Sequence, residues 1–229
     1  MTLAPGTLLT AQCLLFDMDG TLVNSTTVVE RVWGRWAAGH GIAFDDFRHT
    51  MHGRRAIDIM RGIVPPHLDA ETELQTIDSE ELVETDGIVP IPGAAELLAR
   101  LPRDRWALVT SAQLPLARVR MGAAGLPMPD TVVSADDIRE GKPNPGCYLL
   151  ALERLGQCPE HAVVFEDAPA GIAAGIAAGC RTIAISGSTH ATADASVPSL
   201  VDFTCLALER IDDIAGLHLR VLPAPTPSV

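Results

Sequence analysis

The stretch LLFDMDGTLV, residues 14–23, joins an apolar run to two aspartates. Residues 14–16 are typical of a short buried strand, and Asp17 and Asp19 follow where that strand runs out. Asp and Gly are ordinary turn formers, so the pair has two interpretations, a turn or a catalytic site. A catalytic site would require partners elsewhere in the chain: a lysine, a hydroxyl and at least one further carboxylate.

Downstream of residue 91, short apolar segments alternate with amphipathic ones. The strand-like segments are 106–110, 131–133, 162–165 and 182–185. Between them, apolar residues recur at helical spacing, as at positions 94, 97, 98 and 101. This alternation predicts an α/β fold in which a parallel sheet is covered by helices on both faces.

The helix expected after Asp167 is built almost entirely from Ala and Gly. Residues 168–179 read APAGIAAGIAAG, with glycines four residues apart at 171, 175 and 179. The stretch is too short to span a membrane. We interpret it as a helix that packs closely on the sheet and is followed by Gly179 as its C′ residue.

Residues 24–90 interrupt the alternation with several helical patterns and no convincing strand. Two of these patterns place apolar residues on one face: Val29, Val32, Trp33 and Trp36 in the first, and Leu74, Ile77 and Leu82 in a later acidic helix. We therefore predict an α/β core domain of residues 1–23 and 91–229 and a helical cap domain of residues 24–90. The Pro-, Ser- and Thr-rich tail, from about residue 222, is expected to fray.

The composition argues against several classes of protein. The formal net charge is −12 and the 17 basic residues form no run, which argues against binding of nucleic acid or of an anionic membrane surface. Five cysteines without a CxxC pair are typical of reduced thiols. We see neither a signal peptide nor a membrane-spanning stretch, and expect a cytoplasmic monomer or weak dimer.

The candidate chemical residues of the α/β part all follow apolar strands. They are Asp17 and Asp19, Thr110 and Ser111, and Glu166 and Asp167. The carboxyl ends of parallel strands share one edge of a sheet, so these groups are expected to converge there. Converging carboxylates need a cation among them, and hard oxygen ligands favour Mg²⁺, which also binds substrate phosphates.

Lys142 lies in GKPNPG, residues 141–146, and is the only lysine; the other 16 of the 17 basic residues are arginines. A compact ammonium with three donors can approach a phosphate and a carboxylate together, which a planar guanidinium does less readily. Pro143 favours an extended backbone at Lys142 and so restricts its direction. We interpret Lys142 as the cation of the site.

The segments DMDGTLV, VTS, GKPNP and FEDAPAG, in this order and spacing, resemble the four motifs of the haloacid dehalogenase (HAD) superfamily, in its helical-cap phosphatase and phosphomutase branch. The segments MHGRRA and GKPNPGCYLLALERLG further resemble the sugar-phosphate phosphatases, the group that includes 2-deoxyglucose-6-phosphate, mannitol-phosphate and glycerol-phosphate phosphatases. The resemblance implies a Rossmann-like core with an inserted α-helical cap, and a small sugar or polyol phosphate as substrate.

The resemblance also implies a role for each motif residue. Asp17 would attack phosphorus and form an aspartyl phosphate, while Asp19 would protonate the leaving oxygen and then activate water. Thr110 and Lys142 would hold the transferring phosphoryl group. The implied Mg²⁺ ligands are Asp17, Asp19 through its backbone carbonyl, Asp167 and, directly or from just behind the ligands, Glu166.

The implied substrate contacts come from two segments. They are Ser111 and, in the cap segment HTMHGRR, His52, Gly53, Arg54 and Arg55. The direction in which each cap side chain points is not visible in the sequence. For His49, in the same segment, a solvated position is an equal alternative.

Two alternative functions stay open within the family. Relatives of β-phosphoglucomutase carry a cap-linker histidine where this chain has Val29, and a cap lysine that is absent here. The other alternative is a non-catalytic phosphate-binding HAD protein, although such a protein would be expected to lose an acid or the lysine. Dehalogenases do not need the second acid, and phosphonoacetaldehyde hydrolases need a lysine in the cap, so both fit less well.

Overall fold

The computed structural model describes residues 2–187, 197–212 and 216–224, and its centre is a six-stranded parallel sheet. In spatial order the strands are β6 (Thr131–Val133), β5 (Trp106–Val109), β2 (Cys13–Phe16), β7 (Ala162–Glu166), β8 (Arg181–Ile185) and β9 (Ser199–Leu200). The sheet confirms the predicted α/β fold, and the predicted strands match β2, β5, β6, β7 and β8. The two-residue strand β9 was not predicted, because so short a segment carries no periodicity.

Seven α-helices lie in the described residues. They are α1 (Thr26–Gly39), α2 (Ala56–Ile63), α3 (Ala70–Glu81), α4 (Ala94–Arg100), α5 (Leu114–Ala123), α6 (Gly146–Leu155) and α7 (Pro169–Ala177). The last of these is the predicted Ala/Gly helix, and Gly179 follows it with a φ of 82°, as expected for a C′ glycine.

Side chains alternate between the two faces of the sheet along each strand, and both faces are apolar. Leu14 and Phe16 of β2 belong to a large cluster that includes residues of α4 and α5. Cys13 and Leu15 face the other way, into a cluster that includes residues of α6 and α7. Burial on both faces explains why the strands read as unbroken apolar runs.

Helices α1, α2 and α3 form an insertion after the first strand of the parallel sheet. The short strands β3 (Val23–Asn24) and β4 (Val89–Pro90) pair antiparallel where the chain leaves the sheet and returns to it. Residues 24–90 are called the cap segment below; its standing as a separate domain stays a prediction. Trp33 and Trp36 are buried in this segment, as expected.

The predicted apolar face of α3 was wrong at one position. Leu74 and Ile77 are buried as expected, whereas Leu82 is 36% exposed and Glu81 is 4% exposed. Position 81 continues the helical spacing of positions 74 and 77, so a carboxylate occupies a place where periodicity favours an apolar side chain.

A second, antiparallel sheet was not predicted from the sequence. It contains β1 (Leu8–Ala11), β11 (Gly216–Val221) and β10 (Leu206–Asp212), with β11 in the middle. Strands β10 and β11 mix charged and apolar residues, and β1 has only four residues, so they resemble the surrounding loops. Of the tail expected to fray, residues 222–224 have no regular structure, and residues 225–229 lie outside the described residues. The described part of the chain has no helix with the length and hydropathy needed to cross a bilayer.

The close packing of α7 gives a test of the fold. A Cβ on Gly175 would lie 2.6 Å from Thr182 Oγ1 and 3.1 Å from Val164 Cγ1, both on the sheet. We expect Gly175→Ala to lower the free energy of unfolding by about 1–2 kcal/mol in urea titrations, since overpacking outweighs the gain in helix propensity.

Gly122 of α5 is the matched control, because it has nothing within 4 Å of the same added atom. Gly122→Ala should stabilise the protein by about 0.5–1 kcal/mol. Equal stabilisation by both substitutions would show that α7 has room on the sheet and would contradict the packing argument.

Candidate active site

Lys142 lies at the carboxyl edge of the sheet between two carboxylates. Its Nζ donates to Asp17 Oδ1 and to Glu166 Oε1, each at 2.6 Å, and to the backbone carbonyl of Val109 at 3.1 Å. The side chains of Lys142, Asp17 and Glu166 are each no more than 5% exposed. The structure therefore joins the predicted lysine to two predicted acids that come from separate strands.

The register of the strands explains why the two acids meet. Phe16, the last residue of β2, lies beside Phe165 of β7. The next residues, Asp17 just after β2 and Glu166 at the end of β7, therefore lie side by side. The backbone N–H of Asp17 donates to the carbonyl of Phe165 at 3.1 Å. Below them, the rings of Phe16 and Phe165 stack with centroids 5.1 Å apart, which fixes the backbone that carries the acids.

Glu166 is held by four donors. Its Oε1 accepts from Lys142 and from the Tyr148 hydroxyl at 2.8 Å, and its Oε2 accepts from the backbone N–H groups of Asp167 at 3.1 Å and Ala168 at 3.3 Å. Burial and the charge of Glu166 raise the pKa of Tyr148 well above its usual range, so the phenol stays protonated as a donor. Glu166 is thus fixed in place mainly as a partner of Lys142.

The pKa of Lys142 reflects two opposing effects. Burial alone would lower it, but the adjacent carboxylates of Asp17 and Glu166 raise it more, so the net shift is upward. The ammonium therefore remains charged across the physiological pH range.

Asp17, Glu166 and Asp167 place carboxylate oxygens within 4.8 Å of one another. The ammonium of Lys142 contacts only the Asp17 and Glu166 carboxylates of the three, and such hard oxygen donors suit Mg²⁺. Burial raises the pKa of Asp17 well above its usual range, with Glu166 and Asp167 adding to the rise and Lys142 opposing it. A divalent cation would stabilise the ionised form, so the residues present fit the predicted metal.

Gly20 allows the turn after Asp19 to pass Asp167. Its φ is 86°, and a Cβ there would lie 2.0 Å from Asp167 Oδ2. The neighbouring Thr21 hydroxyl donates to Asp167 Oδ1 at 3.2 Å. The glycine that follows the two aspartates is therefore required both by the backbone conformation and by the space that Asp167 occupies.

The carboxylate of Asp19 contacts Ser25 and Arg120 and is not part of the cluster of three acids. Its Oδ1 accepts from the Ser25 hydroxyl at 2.6 Å, its Oδ2 accepts from Arg120 Nη1 at 2.8 Å, and its side chain is 31% exposed. It lines a cavity between the sheet edge and the cap segment. This placement suits the predicted proton transfer, and the contribution of its backbone carbonyl to a metal site stays a prediction.

Five of the predicted phosphate and substrate residues lie around this cavity. Thr110, Ser111, His52, Gly53 and Arg54 all line it. Thr110 is buried and its Oγ1 accepts from the backbone N–H of Ala112 at 3.1 Å.

Residues 52–55 of the cap segment, called the cap loop below, are linked to the core by a hydroxyl group. The Ser111 hydroxyl donates to the carbonyl of Gly53 at 3.0 Å. A Cβ on Gly53, whose φ is 74°, would lie 2.6 Å from Ala168 Cβ. The cap loop is therefore pressed against the sheet edge at a position that only glycine fits.

Arg55 and His49 do not line the cavity in the structure. Arg55 forms two hydrogen bonds with Asp58, at 2.8 and 2.9 Å, and donates to the carbonyl of Ile138 at 3.3 Å. His49 is exposed. Arg54 and Arg55, adjacent in the sequence, thus have different surroundings, and the geometry favours Arg54 as the substrate contact.

Several residues of the site were missed by sequence reasoning. They are Ser25, Glu81, Arg120 and Tyr148. Arg120 and Glu81 did carry a signal: each is a charged residue at a core position of an amphipathic helix, where burial without a partner is costly. Tyr148 is the only tyrosine of the chain and follows Lys142 by six positions.

A parallel sheet with an ammonium and three carboxylates at its edge, beneath a helical insertion, defines an α/β protein with a charged candidate active site. The family model of the haloacid dehalogenase-like hydrolases matches residues 11–179. The chain belongs to this family, which confirms the resemblance carried by its four motifs.

Three relatives show the extent of the similarity. Hexitol phosphatase A of Escherichia coli is 42% identical over 86% of this chain and 91% of its own length. Glycerol-1-phosphate phosphohydrolase 2 of Saccharomyces cerevisiae is 34% identical over 75% of this chain and 73% of its own. The crystal structure of CbbY from Rhodobacter sphaeroides in complex with phosphate superposes with a TM-score of 0.72 at 26% identity, covering 84% of this chain and 95% of that one.

The buried ammonium gives a test of the site. Lys142→Met would leave Asp17 and Glu166 without the cation between them, so we expect the free energy of unfolding to fall by about 3–5 kcal/mol in urea with EDTA present. Arg139→Met, at an exposed position of the same loop, is the control and should change stability by less than about 0.5 kcal/mol. Similar effects of the two substitutions would refute the role of Lys142.

Proposed function

We propose that the protein is a Mg²⁺-dependent phosphomonoester hydrolase that acts on a small sugar or polyol phosphate. The observation that carries this proposal is that Asp17 and Asp19, with a single residue between them, have different environments. Both acids line the cavity, but Asp17 is buried against Lys142, whereas the side chain of Asp19 is 31% exposed. The names of the similar hexitol and glycerol-1-phosphate phosphatases support the same class of substrate.

The two acids divide the chemistry. A carboxylate oxygen of Asp17 forms a bond to phosphorus while the bond from phosphorus to the ester oxygen breaks, and Asp19 gives its proton to that leaving oxygen. Water then attacks the aspartyl phosphate, Asp19 takes its proton, and inorganic phosphate and the Asp17 carboxylate are released. Thr110 and Lys142 are the donors for the phosphoryl oxygens during both transfers.

Asp17, Asp167 and the backbone carbonyl of Asp19 are the residues we propose to hold Mg²⁺. The ion would supply charge neutralisation between the carboxylates and the phosphate. Glu166 acts instead through Lys142, since its two oxygens already accept four hydrogen bonds. This assignment gives Asp17, Asp19, Glu166 and Asp167 separate tasks.

The wall of the cavity formed by the cap segment and α5 suits a substrate whose part beyond the phosphate is uncharged and bears hydroxyl groups. The buried residues Trp33, Glu81 and Arg120 line it, and Arg120 is paired with both Glu81 and Asp19. One guanidinium between two carboxylates leaves no surplus positive charge on this wall of the cavity. Val29 also lines the cavity and cannot transfer a proton, which supports a hydrolase over a phosphomutase.

The proposal is tested by phosphate release from a panel of sugar and polyol phosphates. We expect turnover with Mg²⁺ and its loss in excess EDTA, with recovery when Mg²⁺ is restored, because both the nucleophile and the phosphate are anionic. Undiminished turnover in EDTA would reject the metal, and no release from any ester would reject the hydrolase.

Asp17→Asn is the control for adventitious phosphatase in the same assay. An amide neither attacks phosphorus nor carries the charge that would hold a metal, so phosphate release should fall to background. Release at the wild-type rate from this variant would remove Asp17 from the mechanism.

Arg54 and Arg55 form a matched pair for testing the cap loop. Arg54 lines the cavity, whereas Arg55 is engaged with Asp58 outside it. We expect Arg54→Ala to lower kcat/KM for a good polyol or hexose phosphate by roughly 1–3 kcal/mol, through loss of a charge-assisted contact, and to affect p-nitrophenyl phosphate much less.

Arg55→Ala should leave the ratio of the two kcat/KM values unchanged. Because the comparison is made within each variant, damage to folding lowers both values equally. If Arg54→Ala also leaves the ratio unchanged, the cap loop is not the specificity element.

A further inference from the structure

Arg120 connects the core of the protein to the cap segment through two carboxylates. It lies on helix α5, and its Nη1 donates to Asp19 Oδ2 at 2.8 Å. Its Nη2 lies 3.0 Å from Oε2 of Glu81, the last residue of cap helix α3. The side chains of Arg120 and Glu81 are 6% and 5% exposed, so the pair is shielded from water.

Glu81 is itself anchored within the cap segment. Its Oε1 accepts from Trp33 Nε1 of helix α1 at 3.2 Å. Two hydrogen bonds and the ion pair between them therefore connect the indole of Trp33, through Glu81 and Arg120, to the carboxylate of Asp19. This chain joins two cap helices to the turn that carries the proposed acid.

The contacts of Asp19 restrict its carboxylate from two sides. Ser25 donates to Oδ1 and Arg120 donates to Oδ2. The side chain is nevertheless 31% exposed, and it lines the cavity. Ser25 directly precedes α1, so one restraint lies where the chain enters the cap segment. The other restraint depends on Glu81, which lies where α3 ends.

Arginine is suited to this position by the shape of its side chain. A planar guanidinium offers separate N–H groups to two carboxylates at once, whereas an ammonium is a single point of charge. The pairing also offsets the cost of burying Glu81, a carboxylate that would otherwise lie desolvated between cap and core.

We propose that Arg120 is a positioning residue for the acid–base step, holding the Asp19 carboxylate toward the leaving oxygen, and that Glu81 makes this orientation depend on the placement of cap helix α3. The inference rests on the proposed phosphatase function. Arg120 does not touch the transferring group; it acts through Asp19.

The test uses leaving groups that differ in their need for a proton. Substituted phenyl phosphates form a series in which the phenolate becomes a poorer leaving group as the pKa of the phenol rises. Protonation by Asp19 makes kcat/KM less sensitive to that pKa, because kcat/KM reports the step in which the ester bond breaks. The slope of log kcat/KM against phenol pKa therefore measures how well Asp19 delivers its proton.

We expect Arg120→Lys to steepen this slope. Lysine retains the charge but cannot bridge both carboxylates, so kcat/KM should fall by about tenfold or more for phenyl phosphate and for a polyol phosphate, against a general-acid contribution of about 10²–10⁴. For p-nitrophenyl phosphate, whose leaving group needs little help, the loss should be less than about threefold. Glu81→Gln should change the slope in the same direction and by less.

Three further variants make the result decisive. Arg118→Ala changes an exposed residue of the same helix and should leave the slope at its wild-type value. Asp19→Asn sets the slope for complete loss of the acid, and the double variant with Arg120→Lys should be no steeper, because both changes act on one step. A double variant that is steeper would show that Arg120 acts independently of Asp19.

The outcomes separate this inference from the proposed function. A wild-type protein that releases no phosphate from any ester would reject the phosphatase itself. If the wild type is active and Arg120→Lys lowers kcat/KM by the same factor for every ester, the arginine has a purely structural role. If kcat/KM is unchanged in this variant, Arg120 has no role in the reaction. Either result overturns the inference while the phosphatase function stands. Misfolded protein lowers all points equally and does not alter the slope.

Discussion

The ammonium of Lys142 is the interaction on which the rest of the site depends. It donates to Asp17, Glu166 and the backbone of Val109 from a buried position, and it offsets the repulsion between acids that the strand register forces together. The need to keep Glu166 in place extends to helix α7. A Cβ on Gly171 would lie 1.7 Å from Glu166 Oε1, so the small residues of that helix are explained by the charge cluster beside it as well as by the sheet.

Two aspartates separated by a single residue have different environments, and this difference suits them to different tasks. Asp17 is 4% exposed, paired with an ammonium and close to two further carboxylates. Asp19 contacts a hydroxyl and a guanidinium and faces the cavity. A nucleophile must be fixed and ionised, and at Asp17 the ionised form is favoured by Lys142 and would be favoured further by the proposed cation, whereas a proton donor must reach the leaving group and later water. Pairs of acids whose surroundings differ in this way commonly divide such roles.

The sequence predicted the parts of the molecule that depend on short-range patterns. Apolar runs that end in polar residues located most strands of the parallel sheet, and the shared edge of such a sheet then brought Asp17, Lys142 and Glu166 together. The pairing of Arg120 with Asp19, 101 positions earlier in the chain, follows from the packing of α5 against the turn, and no local pattern encodes it. The antiparallel sheet was missed because its strands join distant segments, residues 8–11 and 206–221, that carry little periodicity.

Glu81 is a buried carboxylate at a position where an apolar residue is expected, and its contacts link the cap segment to the proposed acid. Periodicity alone favours an apolar residue at position 81, yet the helix buries a carboxylate there and exposes Leu82. A buried carboxylate is tolerated only with partners, and its partners are Trp33 in the cap segment and Arg120 in the core. Moving α3 away from α5 would break the Glu81–Arg120 contact and leave charged groups to be solvated anew. The same movement would leave the guanidinium that holds Asp19 without its second carboxylate, so the placement of the cap and the placement of the acid are coupled through Arg120.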